Sequence, residues 1–410
     1  MNLSRFALLP LLVEASWLRD VEDPARKLCS NSVGHGCWWD SDCCGDLECL
    51  GVKSWECGNS PGLDGEYCNP FYPCDEDLFC HEGICKDYSE LLKNGTRGTC
   101  RMDGNTNVNT LKMMTYNVFL IDCAGFLPVM CESEDVRAIR VPKLIEWFKD
   151  RDEDVVVMQE VFTFQDELIE GMADAGFCHY VTNFQQRAGS GLAIFSKWPI
   201  ESFDFVDWFD ATGNGDQTDW YNAEAYADKG VIHAKVNKGG KIYHAFNTHT
   251  QSNSVGDGHE TRMVQYLRIR EFIEDLNIGV AEIALMGGDF NEDKWHHEGK
   301  YYRAMLEEIR ADEVQIRGPI KYTQNTEKNK LLKQLWEGDE KFGTFFETLD
   351  FIFPYHNGEG GVEHKNPDDT SFCEILIPQL PAGCNDAECM LSDHFPMTCN
   401  FYTDGYSNGS

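Results

Sequence analysis

The chain has 410 residues, more than one compact domain usually needs, and 42% of them are apolar, enough to bury a large core. Thirty-five basic residues stand against 69 acidic ones, a formal net charge of −34. That field repels polyanions, and no basic run supplies the phosphate-neutralising stripe of a nucleic-acid binder. Eighteen cysteines exclude a reducing compartment and point to disulfides in a secreted or lumenal protein.

At the N-terminus Arg5 precedes a short apolar run, Phe6 to Val13, and Val13-Glu14-Ala15 has the small-residue pattern of a cleavage site. Residues 1–15 therefore read as a signal peptide. Residues 29–87 are cysteine-dense and poor in aliphatics, and a segment this small must rest on its bridges instead of a core. The spacing of Cys29, Cys37, Cys43-Cys44, Cys49 and Cys57 resembles the inhibitor cystine knot. That resemblance implies the pairs Cys29–Cys44, Cys37–Cys49 and Cys43–Cys57, while spacing by itself leaves the connectivity open. Cys68, Cys74, Cys80 and Cys85 form a second group; CxxC pairs are absent, which disfavours zinc. Trp38, Trp39, Trp55, Phe71 and Tyr72 would form the module's miniature core or contact an unknown surface partner. Residues 88–108 read as a linker carrying the glycosylation sequon Asn94-Gly95-Thr96.

From residue 109 to 403 the texture alternates between strands and helices. Leu111 to Phe119 reads as a strand. Glu134 to Asp150 reads as a helix with Val136, Ile139, Ile145 and Phe148 on its buried side and a kink or break at Pro142. Strands are expected at Asp154 to Met158, Gly191 to Phe195, Gly230 to Val236 and Ile242 to Thr248. An amphipathic helix follows over Glu260 to Asp275, then strands at Ile283 to Met286, Thr348 to Pro354 and Phe395 to Phe401. No later stretch has the run of about twenty apolar residues that spans a bilayer.

Polar residues punctuate the ends of these strands. In chain order they are Asn117, Glu160, His249, Asp289 with Asn291, Asp350, and Asp393 with His394. Each taken singly has an ordinary structural explanation; the ordered set does not. Met286-Gly287-Gly288-Asp289-Phe290-Asn291 turns sharply after a buried strand and projects one charged and one neutral oxygen donor, a match for a hard divalent cation or a phosphate shell. Ser392-Asp393-His394 adds a carboxylate beside an imidazole able to accept a proton near neutrality.

These motifs, over Leu111 to Phe401, resemble the endonuclease/exonuclease/phosphatase superfamily. Gly191 to Ile200, Asp228-Lys229-Gly230-Val231 and Asn247-Thr248-His249-Thr250-Gln251 resemble its secreted neutral sphingomyelinases. The resemblance implies an α/β fold: a four-layered sandwich of two mixed β-sheets flanked by helices, here preceded by the small disulfide-rich domain. It implies hydrolysis of sphingomyelin to ceramide and phosphocholine, or of a related choline phospholipid, at a membrane surface, with Mg²⁺ as cofactor or Mn²⁺ or Co²⁺ in its place. Glu160, Asn117, Asp393 and Asp289 would serve the metal. His394 would be the general base, oriented by Asp350; Asp289 and Asn291 would orient phosphate and water; His249 would act as acid or oxyanion donor; Lys229, Asn291 and His249 would bind the phosphate. Phe203, Phe205, Trp208, Phe209, Trp220, Tyr221 and Tyr226 would form an interfacial wall packing on choline, or in part ordinary strand core. A secreted deoxyribonuclease on the same scaffold is the main alternative, opposed by the charge, and a non-catalytic toxin built on the cysteine module is the third reading. Among the remaining cysteines, Cys123–Cys131, Cys384–Cys389 and Cys373–Cys399 are the expected bridges.

Overall fold

The computed structural model describes residues 92–100, 106–122, 131–183, 189–207, 229–252, 258–279, 281–336, 344–356, 367–378, 387 and 390–403, and the backbone of four short strands ahead of them. The chain divides into two compact units, Met1–Asp87 and Tyr88–Ser410. In the first, β1 (Leu47–Cys49) pairs with β2 (Cys57–Asn59) and β3 (Leu78–His81) with β4 (Ile84–Asp87), both antiparallel. The expected signal peptide and the expected cystine-knot pairings lie outside the described residues.

In the second unit the chain runs through β5 (Leu92–Thr96), β6 (Thr110–Leu120), α1 (Glu134–Phe148), β7 (Val155–Val161), α2 (Gln165–Asp174), β8 (His179–Asn183), β9 (Ala193–Ser196), β10 (Ile200–Asp207), β11 (Gly230–Lys238) and β12 (Lys241–His249). It continues with α3 (Gly258–Asp275), β13 (Ile283–Asp289), α4 (Lys300–Ile309), β14 (Gln315–Arg317), β15 (Gln324–Asn325), α5 (Lys330–Leu335), β16 (Phe346–Glu347), β17 (Asp350–Pro354), β18 (Phe372–Ile375) and β19 (Met397–Tyr402). Two mixed sheets result, ordered β14-β18-β19-β6-β7-β9-β8-β5 and β10-β11-β12-β13-β17.

Alternation along the strands explains the layering. In β6 and β7, Met113, Val155 and Val157 enter the core shared with the second sheet. Their neighbours Met114, Tyr116, Val156 and Met158 pack instead with Val141, Leu144 and Phe148 of α1 and Leu168 and Met172 of α2. On the far side, Tyr266, Ile269 and Ile273 of α3 and Tyr302, Met305 and Ile309 of α4 complete the other outer layer. Helices, sheet, sheet, helices make the expected four-layered sandwich. The sheets approach closely at Gly287, where a Cβ would meet Val157 Cγ2 at 2.7 Å.

Several local expectations change. Helix α1 continues through Pro142, and Ile139 is 48% exposed instead of buried. The buried face takes Arg137 and Arg140, because both guanidiniums reach carbonyls at the end of β6 and the turn beyond it. Leu92–Thr96, inside the segment read as a linker, is an edge strand paired with β8, and the sequon Asn94 lies exposed on it. Cys373–Cys399 forms as expected; Cys100–Cys178, which carried no expected partner, forms as well. Cys123, Cys384 and Cys389 lie outside the described residues.

Candidate active site

The second sheet sets its polar residues by register alone. His249 of β12 stands opposite Asp289 of β13, and Asp289 stands opposite Asp350 of β17. Directly opposed residues share a face, and Gly287, two residues before Asp289, fixes that face as the inner one. One row across three strands therefore presents an imidazole and two carboxylates to the gap between the sheets. The glycine pair is steric: a side chain at 287 would strike the opposite sheet, and one at 288 would meet the Thr248 carbonyl at 2.4 Å.

The first sheet meets this row from across the gap. Asn117, on the inner face near the end of β6, donates from Nδ2 to Asp289 Oδ2 at 3.0 Å. In β7, Gln159 follows Val155 and Val157 inward and donates to Asn247 Oδ1 at 2.6 Å. Strict alternation would send Glu160 outward to the helices. Its φ of +60° breaks the alternation, and the carboxylate turns to lie 3.9 Å from His249 Nε2. A positive φ at a non-glycine residue carries a conformational cost and is held here by the surrounding packing.

Antiparallel pairing of β19 with β6 brings the Ser392-Asp393-His394 turn to the end of β6. Ser392 Oγ donates to the Asn117 carbonyl at 2.6 Å. Asn329 caps α5, accepting from Leu332 N, and donates from Nδ2 to the carbonyls of Ser392 (2.8 Å) and Asp393 (2.9 Å). The buried Arg140 guanidinium ties the same turn to β6 through the carbonyls of Leu391 (2.8 Å) and Val118 (2.6 Å). Held this way, His394 places Nδ1 2.7 Å from Asp350 Oδ2 and Nε2 3.8 Å from Asp289 Oδ2. The Gln324 amide nitrogen lies 2.6 Å from Nε2.

On the other flank Lys229 is buried, not a surface lysine. Its Nζ lies 3.2 Å from His249 Nε2 and donates to the Thr250 carbonyl at 3.3 Å. Asn291 Nδ2 donates to that carbonyl at 3.0 Å, and its backbone N–H donates to Asp289 Oδ1 at 3.0 Å. His249 Nε2 is 3.7 Å from Asp289 Oδ2.

The electrostatics follow from this crowding. Burial alone would lower the His394 pKa, but Asp350, Asp393 and Asp289 outweigh it and raise the ring well above its ordinary range. Burial pushes Glu160 up to about 8, with Asp393 adding to the rise. Burial also raises Asp289, yet His394 and His249 dominate and hold it below the usual carboxylate range. Glu160 Oε2 is buried with no hydrogen-bond partner. A desolvated carboxylate with an orphaned oxygen, next to an amide and a second carboxylate, suits a hard divalent cation. A tighter trio, Asp289, Asp350 and His394, has ligand atoms within 4.8 Å of one another. Its Asp350–His394 contact already uses it as a hydrogen-bonded pair, so Glu160 fits the metal better.

All nine residues singled out in the sequence enter one connected network. Of the proposed aromatic wall, Phe203 and Phe205 pack against the core; Trp208, Phe209, Trp220, Tyr221 and Tyr226 lie outside the described residues. The third wall of the site, Thr323 to Asn329, escaped the sequence reading. Thr323 Oγ1 accepts from the backbone of Leu349 at 3.0 Å, and the Thr323 carbonyl accepts from Phe395 N at 2.7 Å. Asn329 before Lys330-Leu331-Leu332 carries a readable capping signal; Gln324 carries none.

A two-sheet sandwich with a histidine–carboxylate pair beside a buried acid–amide cluster defines a phosphoester-processing class of hydrolase. Residues 114–394 match the model of the Endonuclease/Exonuclease/phosphatase family, and the chain belongs to that family. It is 29% identical over 266 residues to sphingomyelinase C 2 of Leptospira interrogans, covering 59% of this chain and 39% of that protein. It is 26% identical over 302 residues to sphingomyelinase C of Bacillus cereus, covering 67% of this chain and 81% of that protein. The crystal structure of sphingomyelinase C from Streptomyces griseocarneus has the same fold, with a TM-score of 0.54 at 22% identity over 71% of this chain and 99% of that one.

Proposed function

We propose that the protein is a secreted, divalent-cation-dependent phosphodiesterase that hydrolyses sphingomyelin to ceramide and phosphocholine. The observation that carries this reading is the row His249–Asp289–Asp350 facing Glu160 and Asn117, with His394 held on Asp350 at 2.7 Å. The names of the Leptospira and Bacillus relatives support the substrate class, and the disulfides Cys100–Cys178 and Cys373–Cys399 support an oxidising compartment. No helix among the described residues is long and apolar enough to cross a membrane.

Glu160, with Asn117 and Asp393 beside it, would hold Mg²⁺ or a related cation. When bound, that cation supplies Lewis-acid charge to the phosphoryl and leaving oxygens and offsets the carboxylate field around His394. The chain's own residues do the rest. Asp350 fixes the His394 ring through Nδ1, and Nε2, which the Gln324 amide approaches at 2.6 Å, takes a proton from water once water replaces that amide. Asp289 and the Asn291 amide orient the water and the phosphate. The water oxygen bonds to phosphorus as the bond to the ceramide oxygen breaks, and His249 protonates the departing alkoxide. Lys229, beside His249, places positive charge on a phosphoryl oxygen. Aligned donors of this kind contribute roughly a hundred- to thousandfold in rate each.

One assay tests the reading. Purified protein with Mg²⁺ is offered sphingomyelin vesicles and plasmid DNA in parallel. Ceramide release without nicking is expected, and chelation by EDTA should abolish it. Nicked DNA with intact sphingomyelin would overturn the substrate assignment.

A further inference from the structure

The rim beside His394 carries a carboxylate that the proposed hydrolysis leaves unused. Gln324 stands opposite Glu347 in the β15–β16 pair, and opposed residues project from one face with Cβ atoms about 4.5–5.5 Å apart. Gln324 reaches His394 Nε2 at 2.6 Å, so Glu347 projects toward the same histidine. The His296 ring lies 3.9 Å from it, and no lysine or arginine among the described residues comes within ion-pair reach. Asp293 stands behind it, also 3.9 Å from His296 and held by the backbone N–H groups of Thr348 and His296 at 2.8 Å. Burial, then the Asp293 charge, pushes Glu347 up to about 7. Burial and Asp293 thus disfavour the charged carboxylate, and the His296 ring is the one cationic group within ion-pair reach among the described residues.

We propose that Glu347, backed by Asp293, is the subsite for the quaternary ammonium of the substrate head group. The inference rests on the choline-phosphodiester reading above. A quaternary ammonium donates no hydrogen bond, so it is recognised by charge and apolar contact. In phosphocholine the nitrogen is two carbons and one ester oxygen from phosphorus, and Glu347 sits one side chain away from the histidine that addresses the phosphate. A nucleic-acid phosphate has no such cation and meets only repulsion there. The same carboxylate therefore selects for choline lipids and against polynucleotides.

The full chain with Mg²⁺, and its Glu347→Gln and Glu347→Asp variants, are titrated calorimetrically with phosphocholine and with inorganic phosphate. Hydrolysis of sphingomyelin in mixed micelles is compared with that of bis(para-nitrophenyl) phosphate. Glu347→Gln should weaken phosphocholine about tenfold or more and raise the sphingomyelin KM similarly, with inorganic phosphate and bis(para-nitrophenyl) phosphate changed less than about twofold. Glu347→Asp, which keeps the charge, should recover part of the loss. Equal loss on both ligands, or no loss on either, overturns the subsite. A wild-type protein inactive on sphingomyelin defeats the lipid reading separately, and the phosphocholine titration still judges Glu347.

Discussion

On the proposed mechanism, Glu160 illustrates how a single residue trades stability for chemistry. Its φ of +60° and its partnerless Oε2 are both costs that the fold bears to aim one carboxylate into the gap. Glu160→Gln keeps the shape and removes the charge. The variant should lose at least about a hundredfold in turnover, since one electrostatic contact of the reacting centre is lost. Its thermal midpoint without added metal should equal or exceed that of the wild type. A clear fall in that midpoint would mean that structural partners, not a cation, hold the carboxylate. Eight of the nine site residues were legible because they flank or interrupt apolar strands with groups that ordinary strands avoid; Lys229 was legible only through the resemblance of its segment to the sphingomyelinases. The aim of Glu160 was not, since alternation sends it the wrong way and only the backbone dihedral corrects it. Gln324 was invisible because its contact joins positions 70 residues apart with no motif around either the glutamine or its strand.

Among the elements, the outer face of the second sheet carries a buried relay with its own pH signature. His233 of β11 and His244 of β12 stack at 5.0 Å, with Nε2 and Nδ1 2.8 Å apart. Asp204 lies 3.3 Å from His233, and Glu282 lies 3.0 Å from His244. Burial lowers His233, and burial with the neighbouring ring lowers His244 to about 4. An unfolded histidine titrates near 6.5, so below that pH the unfolded chain binds more protons than the folded one. The stabilisation is complete above about pH 6.5 and is lost as pH falls toward 4, at up to about 1.4 kcal/mol per unit for His244. Glu282, lowered to about 2 chiefly by Lys235 and the Gly279 N–H against its burial, extends the loss below its ordinary range. Denaturant melts from pH 8 to 4 should show this limb, and His244→Leu should flatten it; an unchanged limb in that variant would assign it elsewhere. Strand positions were readable from apolar runs, but the face of α1 was not. Its buried arginines answer carbonyls from other elements, a demand that periodicity within the helix does not contain.

At the scale of the whole molecule, two bridges between described residues close loops of different span. Cys100–Cys178 encloses a separation of 78 residues and Cys373–Cys399 one of 26. On chain-entropy grounds their removal should cost about 4–5 and about 3–4 kcal/mol respectively. Paired Cys→Ser variants compared by denaturant unfolding check the order, and a larger loss at Cys373–Cys399 would show that packing between β18 and β19 outweighs loop closure. The sandwich architecture was legible from the order of motifs, whereas these long-range closures depend on which strand ends meet in space.

The row His249–Asp289–Asp350 spans β12, β13 and β17, and each of its members is addressed by pairing alone. A sheet misaligned by a single residue would turn His249, Asp289 and Asp350 away from the cleft and offer aliphatic side chains in their stead. On the proposed mechanism turnover is a readout of correct assembly: a molecule that hydrolyses substrate through this row has, by that fact, zipped three strands in proper alignment. Refolding experiments on this protein can count native molecules by their product, with no spectroscopic probe attached.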